Sequence, residues 1–305
     1  AVTYDLWVAG KQVTETNQND VLGDGGSVKF DPVSNTLTLK QADLTLGEDA
    51  EGDVSGCIDS DLADMLTITG TATLSNADGI MTTGPLTLKD ATLTLTGNIE
   101  GDIGEDAIRA GRSDENITIQ NSKVTIAGKS AGENFFHYGI RCGKLTVANS
   151  TLDVKVYGSA IEADELKASG AGTVITAETD SQNEEDYAIE LNNENSLTMN
   201  DGLVLVEGEV NKSRKAKIAQ PEQAPTDFKA YWVVRPGDDP VATMQIPGPI
   251  TGSEEEERLF EGWFLEDGTR LEDSRYYMGP GADHVGNLDR NVTFYGHWRT
   301  AESGE

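Results

Sequence analysis

Charged residues that recur at one structural position can form a surface, whereas the same residues scattered along a chain cannot. Six times a small residue precedes an isoleucine: Cys57-Ile58, Gly79-Ile80, Ala107-Ile108, Gly139-Ile140, Ala160-Ile161 and Ala188-Ile189. The residue that follows is Asp59, Met81, Arg109, Arg141, Glu162 and Glu190 in turn. If the isoleucines stack as anchors, these side chains form one outward file, and Arg141 meets Glu162 at a spacing suited to an ion pair. Two readings stay open. One is a solvated ladder in which each exposed pair contributes at most about 1 kcal/mol. The other is a shallow groove where Arg109, Arg141 and Glu162 hold a polyanionic or neutral glycan.

Three further groups carry candidate chemistry. Asp59, Asp61 and Asp64 lie close in sequence and could offer oxygen ligands to Ca²⁺. The matching positions of the next repeat, Met81, Thr83 and Pro85, do not reinforce them. Glu100, Asp102, Glu105 and Asp106 form a second acidic group in an expected loop, interrupted by Ile99 and Ile103. There is no Asp-x-Asp-x-Asp-Gly loop and no metal-spaced His pair, so no cofactor is expected, with Ca²⁺ the one ion left open. The stretch Glu133-Asn134-Phe135-Phe136-His137-Tyr138 reads as a loop whose consecutive rings cannot all point inward; Phe135, Phe136 and Tyr138 are therefore candidates to stack on a sugar. Packing of this loop against the outside of the protein is the competing reading.

Those groups need a scaffold, and a nine-residue phrase supplies it. Its clearest copy is Leu86-Thr87-Leu88-Lys89-Asp90-Ala91-Thr92-Leu93-Thr94; copies open at Leu37, Leu66, Leu86, Ile117, Leu145, Leu166 and Leu197. Apolar residues at the first and third places alternate with an outward Thr or Lys, the period of a strand with one buried face. Four residues after each opening stand Gln41, Gly70, Asp90, Asn121, Asn149, Gly170 and Asp201. Gly, Asn and Asp tolerate a left-handed backbone, so all but Gln41 suit a sharp corner. Second strands are expected from Leu44, Leu74, Leu93, Val124, Leu152, Val174 and Val204, and the Ile anchors mark a third strand. Three short strands per repeat predict a parallel β-solenoid of about seven coils, each rising about 4.8 Å. A right-handed winding follows from the general preference of parallel crossovers.

This register separates the two cysteines by three coils, roughly 14 Å along the axis, whereas a disulfide needs Cα atoms within about 7 Å. Unpaired, inward thiols are expected at Cys57 and Cys142, with no disulfide. The outward Thr file reads as strand propensity rather than a binding face.

Residues 1–36 are expected to cap the first coil with a hairpin that turns at Gly10-Lys11. The repeats end near residue 210, and the basic run Asn211-Lys212-Ser213-Arg214-Lys215-Ala216-Lys217, followed by Pro221 and Pro225, reads as a linker over 211–225. Trp232, Trp263 and Trp298 then mark a second small domain over 226–300, with a tail at 301–305. The chain holds 53 Asp and Glu against 23 Lys and Arg, a formal charge of -30 that opposes a phosphate backbone and argues against nucleic acid. No run approaches the roughly 18 apolar residues of a membrane span, so no membrane insertion is expected.

The segments Phe260-Glu261-Gly262-Trp263-Phe264, Asp267-Gly268-Thr269 and Val292-Thr293-Phe294-Tyr295-Gly296-His297-Trp298 resemble the internalin-type B-repeat, or Listeria-Bacteroides repeat. The resemblance covers about 75 residues; Glu254 to Glu257 and Tyr276 to Leu288 depart from its compact form. It implies a β-grasp-like spacer module of bacterial surface proteins, with its aromatics in a core. The opening, from Tyr4-Asp5-Leu6-Trp7-Val8 to Asn35-Thr36-Leu37-Thr38-Leu39, resembles repeat-rich extracellular proteins of gut Firmicutes, some of which carry a carbohydrate-binding label.

Together these readings describe an all-β protein, a right-handed parallel β-helix followed by a β-grasp-like domain. The resemblances imply an extracellular place on the surface of a Gram-positive gut bacterium. Non-enzymatic adhesion or glycan and ligand display is the expected role, by a monomer whose partner is a host or bacterial surface glycan or protein. A Ca²⁺-dependent polysaccharide lyase or hydrolase of the pectin-lyase-like type and a purely structural stalk are the alternatives.

Overall fold

The computed structural model describes residues 2–75, 77–97, 104–128, 136–170, 172–181, 185–192, 197–199, 204–206, 215–219, 229–234, 250–251, 257–265, 267–275 and 292–300. The chain is all-β; among the described residues the one helix is a short 3-10 turn at Leu271–Asp273. Among the described residues nineteen strands join one large, mostly parallel sheet, and four form a separate antiparallel one.

The N-terminal segment forms a hairpin, but it turns at Ala9-Gly10, one residue before the expected Gly10-Lys11, and Lys11 already pairs with Val8. β1 (Thr3–Val8) pairs antiparallel with β2 (Lys11–Thr14) through Ala9 and Gly10, whose φ values of 48° and 76° give the doubly left-handed turn that matches strand twist. The other edge of β1 lies antiparallel on β5 (Gly56–Ser60), so the hairpin covers the first anchor strand. The Glu51 carboxylate accepts the Gln12 amide at 2.9 Å on β2. β3 (Val28–Asp31) pairs antiparallel with β4 (Thr36–Thr45), and the Val21 and Phe30 amides donate to Val28 and Gln18 carbonyls across the outer side of β3. Both caps blunt edges that would otherwise invite pairing with another chain.

Below the caps, matching segments of successive repeats pair in parallel. The anchor ladder runs through β5, β7 (Asp78–Thr82), β9 (Gly104–Ala110), β12 (Phe136–Ala148), β14 (Ile161–Ser169) and β16 (Ile189–Leu191), joining Ile58, Ile80, Ile108, Ile140, Ile161 and Ile189 in one buried file. A second ladder runs through β6 (Leu66–Ser75), β8 (Leu86–Thr96), β10 (Ile117–Gln120), β12, β14 and β17 (Leu197–Met199), pairing Leu66, Leu86, Ile117, Leu145, Leu166 and Leu197. The third joins Leu44, Leu74, Leu95, Ile126, Val154 and Ala177 through β4, β6, β8, β11 (Lys123–Ala127), β13 (Thr151–Val156) and β15 (Val174–Thr179). Burial of each Leu, Ile or Val in these files stabilises by about 1.5–3 kcal/mol before entropy is subtracted.

The corners are left-handed. Gln41, Asp90, Asn121 and Asn149 have φ between 48° and 51°, and Gly70 and Gly170 have φ of 96° and 89°. Gln41, the one residue type that did not suit such a corner, adopts it all the same. Gly70 has a steric reason as well, since a Cβ there would fall 1.9 Å from the Leu39 carbonyl oxygen. A buried serine ladder follows the corner: Ser122 Oγ accepts the Ala91 amide, and Ser150 Oγ accepts the Ser122 amide, each at 3.0 Å.

Register changes at these corners, and three expectations are corrected there. Leu37 pairs with Ile68, not Leu66, because the β4–β6 ladder is irregular between Leu39 and Ala42. Leu74 pairs with Leu95, not Leu93, after a similar slip between Ile68 and Gly70. Ile175 rather than Val174 points inward and pairs with Leu152, because the corner beginning at Gly170 is two residues longer than the corner at Asn149.

The stretch expected to be a linker contains β19 (Lys215–Ala219), which pairs antiparallel with both β15 and β18 (Val204–Val206). β17 therefore stacks directly on β14, while β18 is separated from β15 by a strand running the other way. The four-stranded sheet has the order β20 (Lys229–Val234), β23 (Val292–Thr300), β22 (Glu257–Phe264) and β21 (Ile250–Thr251). Gly262, at φ 143°, marks a register shift in β22 after Phe260.

Candidate functional site

The outward file forms as its spacing predicts. Asp59 pairs with Met81, Met81 with Arg109, Arg109 with Arg141, Arg141 with Glu162, and Glu162 with Glu190. Trp7 of β1 extends the file antiparallel beyond Asp59. Met81 is buried, so the polar surface divides into an Asp59 end and a longer stretch from Arg109 to Glu190.

Arg141 is the pivot of the longer stretch. Its guanidinium lies 4.2 Å from the centroid of the Tyr138 ring, a cation–π contact. Its Nε is 3.2 Å from a Glu162 carboxylate oxygen, and one terminal nitrogen is 3.6 Å from Asp106. Arg109 donates to the other Asp106 oxygen at 3.1 Å. The Asp106 side chain is 1% exposed, against 35% for Arg109 and 24% for Arg141. Arg109 and Arg141 face each other across the ladder as like charges, and the buried carboxylate between them offsets that repulsion. Asp106 and Tyr138 are themselves register partners on β9 and β12, which is how the fold sets this carboxylate beside Arg141.

The opposite end is acidic. Glu162 and Glu190 are register partners, with Asp186 buried nearby and joined to the Ser181 hydroxyl by a short hydrogen bond. Burial, then the charge of Glu162, pushes the Glu190 carboxyl up, while a hydrogen bond with Ser159 and the charge of Arg141 act the other way. Burial likewise pushes the Tyr138 hydroxyl up, opposed by Arg141. His137 packs edge-on to Tyr138 at 4.4 Å and lies 6.2 Å from Tyr157.

Not every candidate joins this surface. Phe136, a candidate sugar platform, is wholly buried in the core, the largest side chain so enclosed among the described residues, and pairs with Gly104. That candidate is corrected: the segment from Phe136 to Tyr138 belongs to β12 rather than to a loop, and it turns Phe136 inward. Phe135 lies outside the described residues, as do Glu100 and Asp102. Tyr138 is half-buried, with one partner already on its ring.

Asp59, Asp61 and Asp64 face different partners. Asp59 accepts the Ser55 and Gly56 amides at 3.2 and 3.5 Å, and burial pushes its carboxyl up. Asp61 accepts the Thr83 hydroxyl at 2.7 Å, and Asp64 is exposed. Among the described residues, no three His, Cys, Asp or Glu side chains gather as a metal-holding group. Cys57 and Cys142 are free and buried, and Cys57 donates to the Leu44 and Ser75 carbonyls at 3.4 Å. Desolvation pushes both thiols up to about 12, so they are held as thiols away from the surface.

The residue that spacing alone did not single out is Asp106. It had been grouped with a loop of acids, yet it stands two residues before the anchor Ile108, as Tyr138 stands two before Ile140. That shared offset was the available signal.

The fold thus defines the chain as an all-β protein built on a large, mostly parallel sheet, and among the described residues no helix is long and apolar enough to cross a membrane. No protein family, no curated protein and no solved structure matches it.

Proposed function

We propose that the protein is an extracellular protein of a Gram-positive bacterial surface whose role is non-enzymatic adhesion or ligand display, with a surface glycan as its partner. In this reading the stacked ladders wind as a right-handed parallel β-helix, and the four-stranded sheet with Trp263 and Trp298 is a β-grasp-like spacer. The observation that carries the binding reading is the seating of Arg141, held by the Tyr138 ring, Asp106 and Glu162 at once. A side chain fixed on three sides presents its remaining donors to a ligand with little loss of rotamer entropy. The half-buried Tyr157 ring lies beside His137, the neighbour of Tyr138, and offers an amphipathic edge to a sugar.

Binding of the full chain to a glycan array tests this reading. Hits that weaken on Arg141→Ala are expected, and a blank array contradicts it in favour of a bare stalk. The opposed Glu162 and Glu190, one of them pushed up by burial, favour a hydrolase as the second reading, because glycoside hydrolysis uses two carboxyls with different ionisation. Reducing-end release from uronate and neutral polymers, measured with and without Ca²⁺, decides it; no turnover under either condition removes it.

A further inference from the structure

We propose that the Glu162–Glu190 contact is a proton-dependent latch that seats β16 on β14 more firmly in mild acid than at neutral pH.

The geometry begins with the parallel register. Ile161, Glu162 and Ala163 of β14 lie opposite Ile189, Glu190 and Leu191 of β16. The inward residues of this seam are apolar and buried, so they favour closure at any pH. The outward pair is two carboxylates set side by side, and like charges directly opposed across a ladder destabilise it. Elsewhere on this face such repulsion is neutralised, since Asp106 lies between Arg109 and Arg141. The acidic pair has only half of such a partner, because Arg141 reaches Glu162 while also serving Asp106.

The groups that face Glu190 are drawn from every described element around it. Glu162 comes from β14, Arg141 from β12 beyond it, Ser159 from the segment ahead of β14, and Asp186 from the approach to β16 itself. Asp106 and Arg109 of β9 lie one strand further out, with Tyr138 and His137 on β12. Glu162 and Asp186 are acids that act on Glu190, and among the described residues the cation touching the pair, Arg141, is shared with Asp106. A proton on Glu190 removes the repulsion and converts an acceptor into a donor toward Glu162.

The sign follows from linkage. Burial and Glu162 push the Glu190 carboxyl up, so the seated form binds a proton that the unseated form releases. The stabilisation is therefore complete in acid and is lost as pH rises through the seated carboxyl's range. The consequence is local, because β16 is only three residues long.

Hydrogen exchange of the full chain, corrected for intrinsic rates, reads this seam directly. The amides of Ile161 and Asn192 report it, since they donate to Ala188 and Ala163 carbonyls. Amides of β8, which holds none of these groups, serve as the internal reference. Protection at the seam relative to β8 is expected to fall severalfold from about pH 4.5 to about pH 7. Glu190→Gln is expected to keep the seam protected at both pH values, and Glu162→Gln to shrink the pH dependence to the part that burial of Glu190 alone supplies, even if it lowers protection by releasing Arg141. Seam protection that tracks β8 across the range overturns the latch. So does a pH dependence that survives in Glu190→Gln and Glu162→Gln alike.

Discussion

Arg141 stands directly opposite Glu162 on the neighbouring strand, with its Nε 3.2 Å from the Glu162 carboxylate. The same guanidinium reaches back 3.6 Å to Asp106, whose side chain is almost wholly buried. One arginine thus ties three successive anchor strands together on their outward side, while Ile108, Ile140 and Ile161 tie them on the inward side.

The two ends of this network differ in their cost of removal. Replacing Asp106 with Ala leaves Arg109 and Arg141 partly exposed and able to recover water, so a loss of about 1 kcal/mol is expected. Replacing both arginines with Ala removes the cations from a carboxylate that cannot reach water, and about 3–5 kcal/mol is expected. Urea unfolding of the two variants measures the asymmetry; equal losses would show that the carboxylate does not depend on its arginines.

Phe136 and Tyr138, two residues apart, separate core from surface. Phe136→Ala should cost about 3–5 kcal/mol, the range for a large buried ring. Tyr138→Ala should cost less, because its half-exposed ring leaves a site that water can fill, yet it frees the face of Arg141. Thermal unfolding paired with the glycan array checks both, the first variant failing in stability and the second in binding.

The corner glycines are not equivalent. Gly70→Ala places a Cβ 1.9 Å from a backbone oxygen and should cost about 3 kcal/mol or more. Gly172→Ala meets nothing within 4 Å and carries only the left-handed penalty, about 1–2 kcal/mol. Gln41→Gly relieves the same penalty at a residue with φ 48° and should raise stability by up to about 1 kcal/mol. Denaturation midpoints of the three variants give the order directly.

The thiols set an alkaline limit. Their ordinary value is 9.0, and burial pushes both up to about 12, so the folded chain keeps protons that the unfolded chain loses. Stability owed to the neutral thiols is present below pH 9 and is lost as pH rises toward 12. An aromatic disulfide reagent at about pH 8 should find no reactive thiol until urea is added, and the Cys57→Ser, Cys142→Ser double variant should lose less stability on going to about pH 10.5. Rapid labelling without denaturant would contradict the burial of either residue.

The sheet was legible because its signals are local and repeated. Alternation such as Leu86-Thr87-Leu88 states which face is buried, and the small-residue–Ile pairs state which strands stack, so the order Arg109, Arg141, Glu162, Glu190 could be read before any coordinates. Corner length was not legible. Whether Leu37 meets Leu66 or Ile68 depends on how the chain passes Gln41 and Gly70, and the closest contact there involves the backbone oxygen of Leu39, which carries no sequence signature. β19 was hidden for a different reason: its lysines read as a solvated run, and its place between β15 and β18 is set by antiparallel pairing from a distance. Asp106 was misassigned because a dense acidic run looks like a loop, although its place before Ile108 put it on a strand.

Binding affinity at the outward face tests the central claim most directly. Calorimetric titration of the tightest-binding array glycan into the full chain compares Arg141→Ala with Thr118→Ala, a half-buried residue on the second ladder away from the anchor face. Loss of a bidentate or stacked arginine contact should weaken binding by about tenfold or more, with Thr118→Ala unchanged. Equal affinity in both variants, or a loss confined to Thr118→Ala, would place the ligand elsewhere and contradict the account.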